Sequence, residues 1–525
     1  MEGQPSAPRI ETEVQVEQSE GPKNICGWRL HLTIAGLGLC LFLVELETTI
    51  VGTALMSMAN DLNDFSKSGW VISGYLITYT GGLIFWPKLK DLLGRKWTFI
   101  TALSIFALFS GACGGSNTMI QLIMFRVIQG FGSSGTYTLA TAVKYELVPP
   151  SENTIYASLI MILYKLPLAF GPMLGGLVSE LSTWRWVFAL NLPLGVLIAI
   201  TLSISIPKDF PHQDCSSQPR RLGLSAIDFG RALLMLSATT LLVAGLQEAA
   251  SLLDWKSNRV RAPLCASGLA WVLFFISQWA ASHEEDEIEP VFSWRFLQSR
   301  VITGFLLNSF MTGAVSTGFM IQLPILYQAV AALNPFQAGL RLIPFVAASF
   351  VAGIMVPKVF SPIYVVIFGS LYMCGLSYTS ASPPNNLDWN GLYGYQVLIG
   401  VGVGSCMGAA DLLTPFLVGG RDLGVRTGAA VQSRLVGGAV ALSITTAAGN
   451  NRIKESLSDY LTTEQLKMIF RSTATIATLP DNLEHTVRET FARSFDLQMG
   501  ILEMFAIAAL CSAFLMWQRP QITLS

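Results

Sequence analysis

Fourteen apolar runs divide the sequence, each close to the length that crosses a bilayer. They are 30–55, 69–86, 98–115, 119–143, 154–179, 187–206, 226–246, 262–281, 301–328, 338–357, 362–381, 391–418, 427–448 and 498–517. A membrane helix takes about 20 mostly apolar residues, and in lipid its backbone must satisfy its own polar groups. The chain is therefore expected to be an all-α membrane protein with 14 transmembrane helices. Composition agrees. Of 525 residues, 52% are hydrophobic and 13% charged, about half the charged share of an ordinary soluble domain. Mean hydropathy is +0.51. So little charge cannot coat a water-facing surface of this size, which argues against a soluble enzyme or a disordered scaffold. The net charge of −1 gives no basic footprint for a nucleic-acid partner.

The runs group as six, two and six, and an even number puts both termini on one side. Residues 30–206 form a first six-helix half and 207–300 a linker with two extra helices. Residues 301–517 form a second six-helix half with a long loop, 449–497. With a cytosolic N-terminus, inner segments hold seventeen Lys and Arg residues. The short outer loops hold five: Lys67, Arg185, Lys256, Arg259 and Arg261. The positive-inside rule thus places both termini in the cytosol and 449–497 outside. Residues 1–29 are polar and acidic, without the apolar core of a secretory signal, and read as a disordered cytosolic tail. Residues 518–525 read as a second such tail. Six of the eight cysteines fall inside runs, Cys26 and Cys215 fall in cytosolic segments, and the four histidines lie at run ends or in loops. Neither a disulfide framework, a metal site nor a cofactor is expected.

Gly130-Phe131-Gly132-Ser133-Ser134-Gly135 matches a dinucleotide fingerprint. That fingerprint needs a preceding strand and a soluble helix. Here it lies inside an apolar run, where small residues let helices approach closely. Gly400, Gly402, Gly404 and Gly408 read the same way. Between the second and third runs stands Pro87-Lys88-Leu89-Lys90-Asp91-Leu92-Leu93-Gly94-Arg95-Lys96. Its cations anchor a cytosolic edge. Asp91 among them can bond a helix N-terminus and pair with Arg95, a contact able to latch one conformation.

This loop resembles the cytosolic signature of the major facilitator superfamily, G-x-L-x-D-x-x-G-R-K/R, with Pro87 in place of the first glycine. Other segments add to the resemblance. Arg126-Val127-Ile128-Gln129-Gly130-Phe131-Gly132 resembles the R-x-x-Q-G-x-G motif of the fourth span. Gly171-Pro172-Met173-Leu174-Gly175-Gly176 resembles the fifth-span motif of proton-coupled exporters. Trp184-Arg185-Trp186-Val187-Phe188, with Asn191-Leu192-Pro193, is similar to the fourteen-span drug:proton antiporter group, in wording close to fungal members. The resemblance implies two six-helix halves around a central cavity open alternately to each side. It also implies a proton-coupled exporter of small organic compounds: a secondary metabolite, toxin or drug. A monomer in the cell membrane is expected, with the vacuolar membrane as alternative. Asp91, Gly94, Arg95 and Lys96, with Gly171, Pro172, Gly175 and Gly176, are the candidate gating residues.

Charges inside the runs point to mechanism. Glu45 and Glu47 lie two residues apart, about 200° around a helix. Leu46-Glu47-Thr48-Thr49-Ile50-Val51 resembles the family's L-D-x-T-I-V, which favours Glu47 as the inward carboxylate. Counted from the outer ends of their runs, Glu47 lies about 12 Å deep and Arg126 about 10 Å. The two are expected to form a protonation-sensitive pair, the alternative being a purely structural one. Lys165 is a candidate for an acidic substrate or for pairing with Glu45 or Glu47. Tyr137 and Tyr327 are candidate cavity residues, and Arg434 is expected to snorkel to the cytosolic face. Uptake of a metabolite or metal chelate is the alternative within transport. A non-transporting membrane sensor is the alternative outside it.

Overall fold

The structure is a computed structural model. It describes residues 27–517 except 63–67, 84, 87–88, 91–93, 148–162, 164–165, 168–169, 172, 179–180, 206–228, 253–255, 282–298, 334, 360, 376–388, 417–422, 463–464, 467, 470–475 and 477–478. Asp91, Lys165 and Pro172 lie outside the described residues.

The described elements are helices. A first group comprises α1 (Trp28–Asp61), α2 (Ser68–Gly82), α3 (Arg95–Gly114), α4 (Met119–Leu147), the short α5 (Arg185–Ala189) and α6 (Asn191–Ser205). Two helices follow, α7 (Phe229–Leu252) and α8 (Asn258–Ala281). A second group comprises α9 (Arg300–Ala329), the short α10 (Pro335–Leu340), α11 (Ile343–Val359), α12 (Pro362–Met373), α13 (Trp389–Phe416), α14 (Leu423–Leu457) and α15 (Asp481–Leu515). Each group has its own buried apolar core.

Among the described residues, eight helices are long and apolar enough to cross a membrane, and two further apolar helices are shorter. The count of fourteen is therefore not reproduced by length and apolarity alone. The reasons are local. Helix α2 has 15 described residues. Helix α4 is long enough, at 29 residues, but polar. Its hydroxyls fold back onto the helix: Ser133 Oγ donates to Gln129 O, Thr136 Oγ1 to Gly132 O and Thr138 Oγ1 to Ser134 O. Such back-bonding lets a hydroxyl-rich helix lie in an apolar interior with its donors satisfied.

Small residues set the packing. An added Cβ on Gly132 would stand 2.6 Å from Phe106 N of α3, and one on Gly130 would overlap Thr78 and Tyr75 of α2. The dinucleotide-like glycines thus bring α4 against α2 and α3. In the second group, Gly400, Gly404 and Gly408 press α13 on α11, and Gly402 presses it on α12.

The described residues of 449–497 are largely helical. Helix α14 runs on through Leu457, and α15 starts at Asp481. Between them an apolar cluster includes Ile453, Leu461, Ile469, Ile476 and Phe491. Arg488 donates Nη1 to Ala329 O and Val330 O at 2.8 and 3.0 Å, capping the C-terminal end of α9, where cations are favoured.

Candidate functional site

Glu47 of α1 and Arg126 of α4 meet in the first group, at 2.5 Å between Oε1 and Nη1, with 0% and 1% of their side chains exposed. Charges that deep require full pairing, and the surroundings supply it. Asn191 Nδ2 donates to the other carboxylate oxygen of Glu47 and, at 3.0 Å, to Ser110 Oγ. The guanidinium donates Nη1 to Gln129 Oε1 at 3.0 Å and Nε to Val71 O at 3.1 Å. Its carbon stands 4.1 Å from the Tyr75 ring centre, a cation–π distance. Five helices, α1, α2, α3, α4 and α6, therefore converge on one charge pair. Glu45 is also buried, on another face of α1.

From this pair a ladder of rings leads toward the second group. Tyr75 stacks on Tyr79 with centroids 5.6 Å apart, and Tyr79 meets Tyr137 edge-on at 6.2 Å. Arg434 of α14 then donates Nη2 to the Tyr137 hydroxyl at 2.8 Å. Arg434 thus crosses to the other helix group instead of snorkelling to an edge. Nearby, Gln432 Nε2 donates to Thr80 O of α2 at 3.5 Å. Arg434 also lines a small cavity with Asn308, Thr312 and Asp411. Tyr327 sits elsewhere, in the core of the second group. Gln396 Nε2 donates to its hydroxyl at 2.9 Å, and Arg341 lies 5.4 Å over its ring.

Of the gating candidates around the start of α3, Gly94, Arg95 and Lys96 are described. Gly94 has φ 82° and ψ 151°, a region almost restricted to glycine. Its carbonyl accepts the Thr98 hydroxyl at 2.8 Å, and Lys96 Nζ donates to Ser203 O of α6 at 2.6 Å. Gly94→Ala is expected to cost about 1–3 kcal/mol, measurable as a lower melting temperature in detergent. An unchanged Tm removes the strain argument. Gly171 fits against α1, where a Cβ would overlap Thr49, and Thr49 Oγ1 donates to Pro167 O at 3.1 Å. The fifth-span segment therefore touches α1 two residues beyond Glu47. Gly175 is buried, whereas a Cβ at Gly176 would meet nothing within 4 Å.

Residues 37–442 match the family model described as Major Facilitator Superfamily. The chain belongs to the major facilitator superfamily. One relative is the MFS-type transporter FPY5 of Fusarium mangiferae, 34% identical over 503 residues, covering 94% of this chain and 84% of the relative. Another is the efflux pump FUS6 of Gibberella fujikuroi, 27% identical over 439 residues, covering 82% and 77%. The fold resembles that of a bacterial homolog of the human lysosomal transporter Spinster, with a TM-score of 0.60 and 13% identity. The match covers 94% of this chain and 100% of that one.

As a major facilitator transporter, the protein is a membrane carrier of small molecules and not an enzyme. Its two helix groups repeat one design. Gly130 and Gly132 seat α4 on α2 and α3, as Gly400 and Gly402 seat α13 on α11 and α12. In that register Arg126, four residues before Gly130, corresponds to Gln396, four before Gly400. Arg126 reaches Glu47 on the first helix of its group, and Gln396 reaches Tyr327 on the first helix of its own. The Gln396–Tyr327 pair itself carries no charge, and the Arg341 guanidinium lies over the Tyr327 ring.

Asn191, Ser110 and Gln129 are the functional candidates that sequence reasoning did not single out. Asn191 and Gln129 stood inside quoted motifs, so the signal was present as a pattern but not as a contact. Ser110 offered no signal at all.

Proposed function

We propose that this transporter exports small organic compounds in exchange for protons. The observation that carries the proposal is the fully buried Glu47–Arg126 pair, linked through three tyrosines to Arg434 of the other helix group. Protonating Glu47 cancels one charge of the pair and leaves the guanidinium to its remaining partners, Gln129, Val71 O and the Tyr75 ring. The energetics then change at Tyr75, which connects through Tyr79 to the Tyr137 that holds Arg434. A proton entering Glu47 in one conformation and leaving in the other couples its downhill flow to uphill movement of a solute.

The efflux names of several relatives, FUS6 among them, support the outward direction. We assign the domains as two six-helix halves with α7 and α8 between them, a monomer in the cell membrane, and both termini in the cytosol. The Lys and Arg distribution supports that orientation. The test is accumulation of candidate compounds in cells with and without the protein, with a protonophore control. Lower accumulation that the protonophore abolishes is the expected result. Higher accumulation reverses the direction, and lower accumulation insensitive to the protonophore removes proton coupling.

A further inference from the structure

A cavity of about 380 Å³ lies where α7 and α8 meet α9 and α14. It shares no residue with the Glu47 network. Its volume is in the range of small-molecule sites, about 300–1,000 Å³. One wall is aromatic. The Trp271 ring stacks on Phe275 at 5.7 Å with 25° between planes, and meets Phe274 edge-on at 5.8 Å. Phe310 of α9 contributes a ring from a second helix. Phe275 at the rim is 39% exposed and stands among the exposed Val272, Ile276 and Trp279 of α8. In a membrane carrier that apolar outside faces lipid, so the cavity opens sideways to the bilayer.

Its inner wall carries buried polar groups. The Thr239 hydroxyl is occupied by Met235 O and Leu236 O. Gln432 Nε2 reaches Thr80 O at 3.5 Å, the long limit of a hydrogen bond, and its amide oxygen can accept a ligand N–H. An acyl chain gains little from flat rings or from an amide. A planar ring system with one hydrogen-bonding group uses both.

We infer that this cavity binds an uncharged, ring-bearing molecule dissolved in the bilayer, its polar group meeting Gln432. Because Gln432 also faces Thr80 of α2, an occupant sits at the seam between the helix groups. As a first stop for exported compounds the site rests on the proposed function; the binding itself does not.

The test uses the full-length protein in phosphatidylcholine nanodiscs, titrated with N-phenyl-1-naphthylamine, a neutral ring compound with one N–H. Saturable binding above protein-free discs is expected. Ala429→Phe, which fills the cavity, weakens it at least tenfold, by on the order of a full aromatic side chain's burial. Trp271→Leu, which keeps the wall apolar and guards against a misfolded first variant, weakens it about three- to tenfold. Absence of saturable binding, binding unchanged in both variants, or displacement by an equal concentration of palmitic acid overturns the site. None of these outcomes bears on export, which the accumulation assay measures separately. A protein that binds the dye here yet exports nothing overturns the proposed function and leaves the site standing.

Discussion

Exchanging Glu47 for glutamine is expected to abolish proton-driven transport and to cost the fold about 3–5 kcal/mol, the usual penalty for breaking a buried ion pair. The penalty arises because Arg126 keeps its charge. A guanidinium does not shed its proton in a protein, so the variant strands a cation that is 1% exposed. Arg126→Leu is expected to cost less, because the carboxylate it strands can take up a proton and become neutral. Joining Glu47→Gln with Arg126→Gln removes both charges and restores much of the stability without restoring coupling. Glu47→Asp retains the carboxylate and is expected to keep proton-dependent transport at a reduced rate. The measurements are melting temperature in detergent and the dependence of efflux on external pH. Glu47→Gln efflux that still follows external pH as the unaltered protein does removes Glu47 from the coupling mechanism.

Tyr137→Phe is expected to shift the balance between the two openings of the carrier about ten- to hundredfold. The lost bond is charge-assisted, worth about 1.5–3 kcal/mol. It joins α14 of one group to α4 of the other at 2.8 Å, so it stabilises the conformation in which both lie together and nothing in the alternative. Arg434→Ala is expected to shift the balance the same way and further, since it also empties the cation from the cavity beside Asp411. Spin labels at the exposed positions Asn117 and Asp459 report the change as a redistribution of inter-label distances. Unchanged distance populations in both variants mean that the bond is incidental to the cycle.

The helices were legible in the sequence because lipid leaves the backbone few choices. The approach of Glu47 to Arg126 was legible too, because both positions could be counted from the ends of their runs. What periodicity cannot show is lateral contact. Asn191 donates to a residue 144 positions away, and Arg434 to one 297 positions away. No pattern along the chain links them. Arg434 was expected at a membrane edge because its distance along α14 favoured it. The Tyr137 hydroxyl on the facing helix decided otherwise. Helical stretches were legible in 449–497, but its mixed charges mask the apolar positions that pack together. Those positions gather only when α14 and α15 stand side by side.

The pairing of one buried carboxylate, Glu47, with Arg126 has a thermodynamic consequence. On the proposed coupling through Glu47 alone, one proton crosses per cycle. A single proton crossing 100 mV releases about 2.3 kcal/mol, and each pH unit adds about 1.36 kcal/mol. With 100 mV and one pH unit the driving force is about 3.7 kcal/mol. An uncharged cargo can then be concentrated no more than about 500-fold across the membrane. On the proposed coupling, the single proton that Glu47 can carry sets the ceiling on how far this carrier can empty a cell.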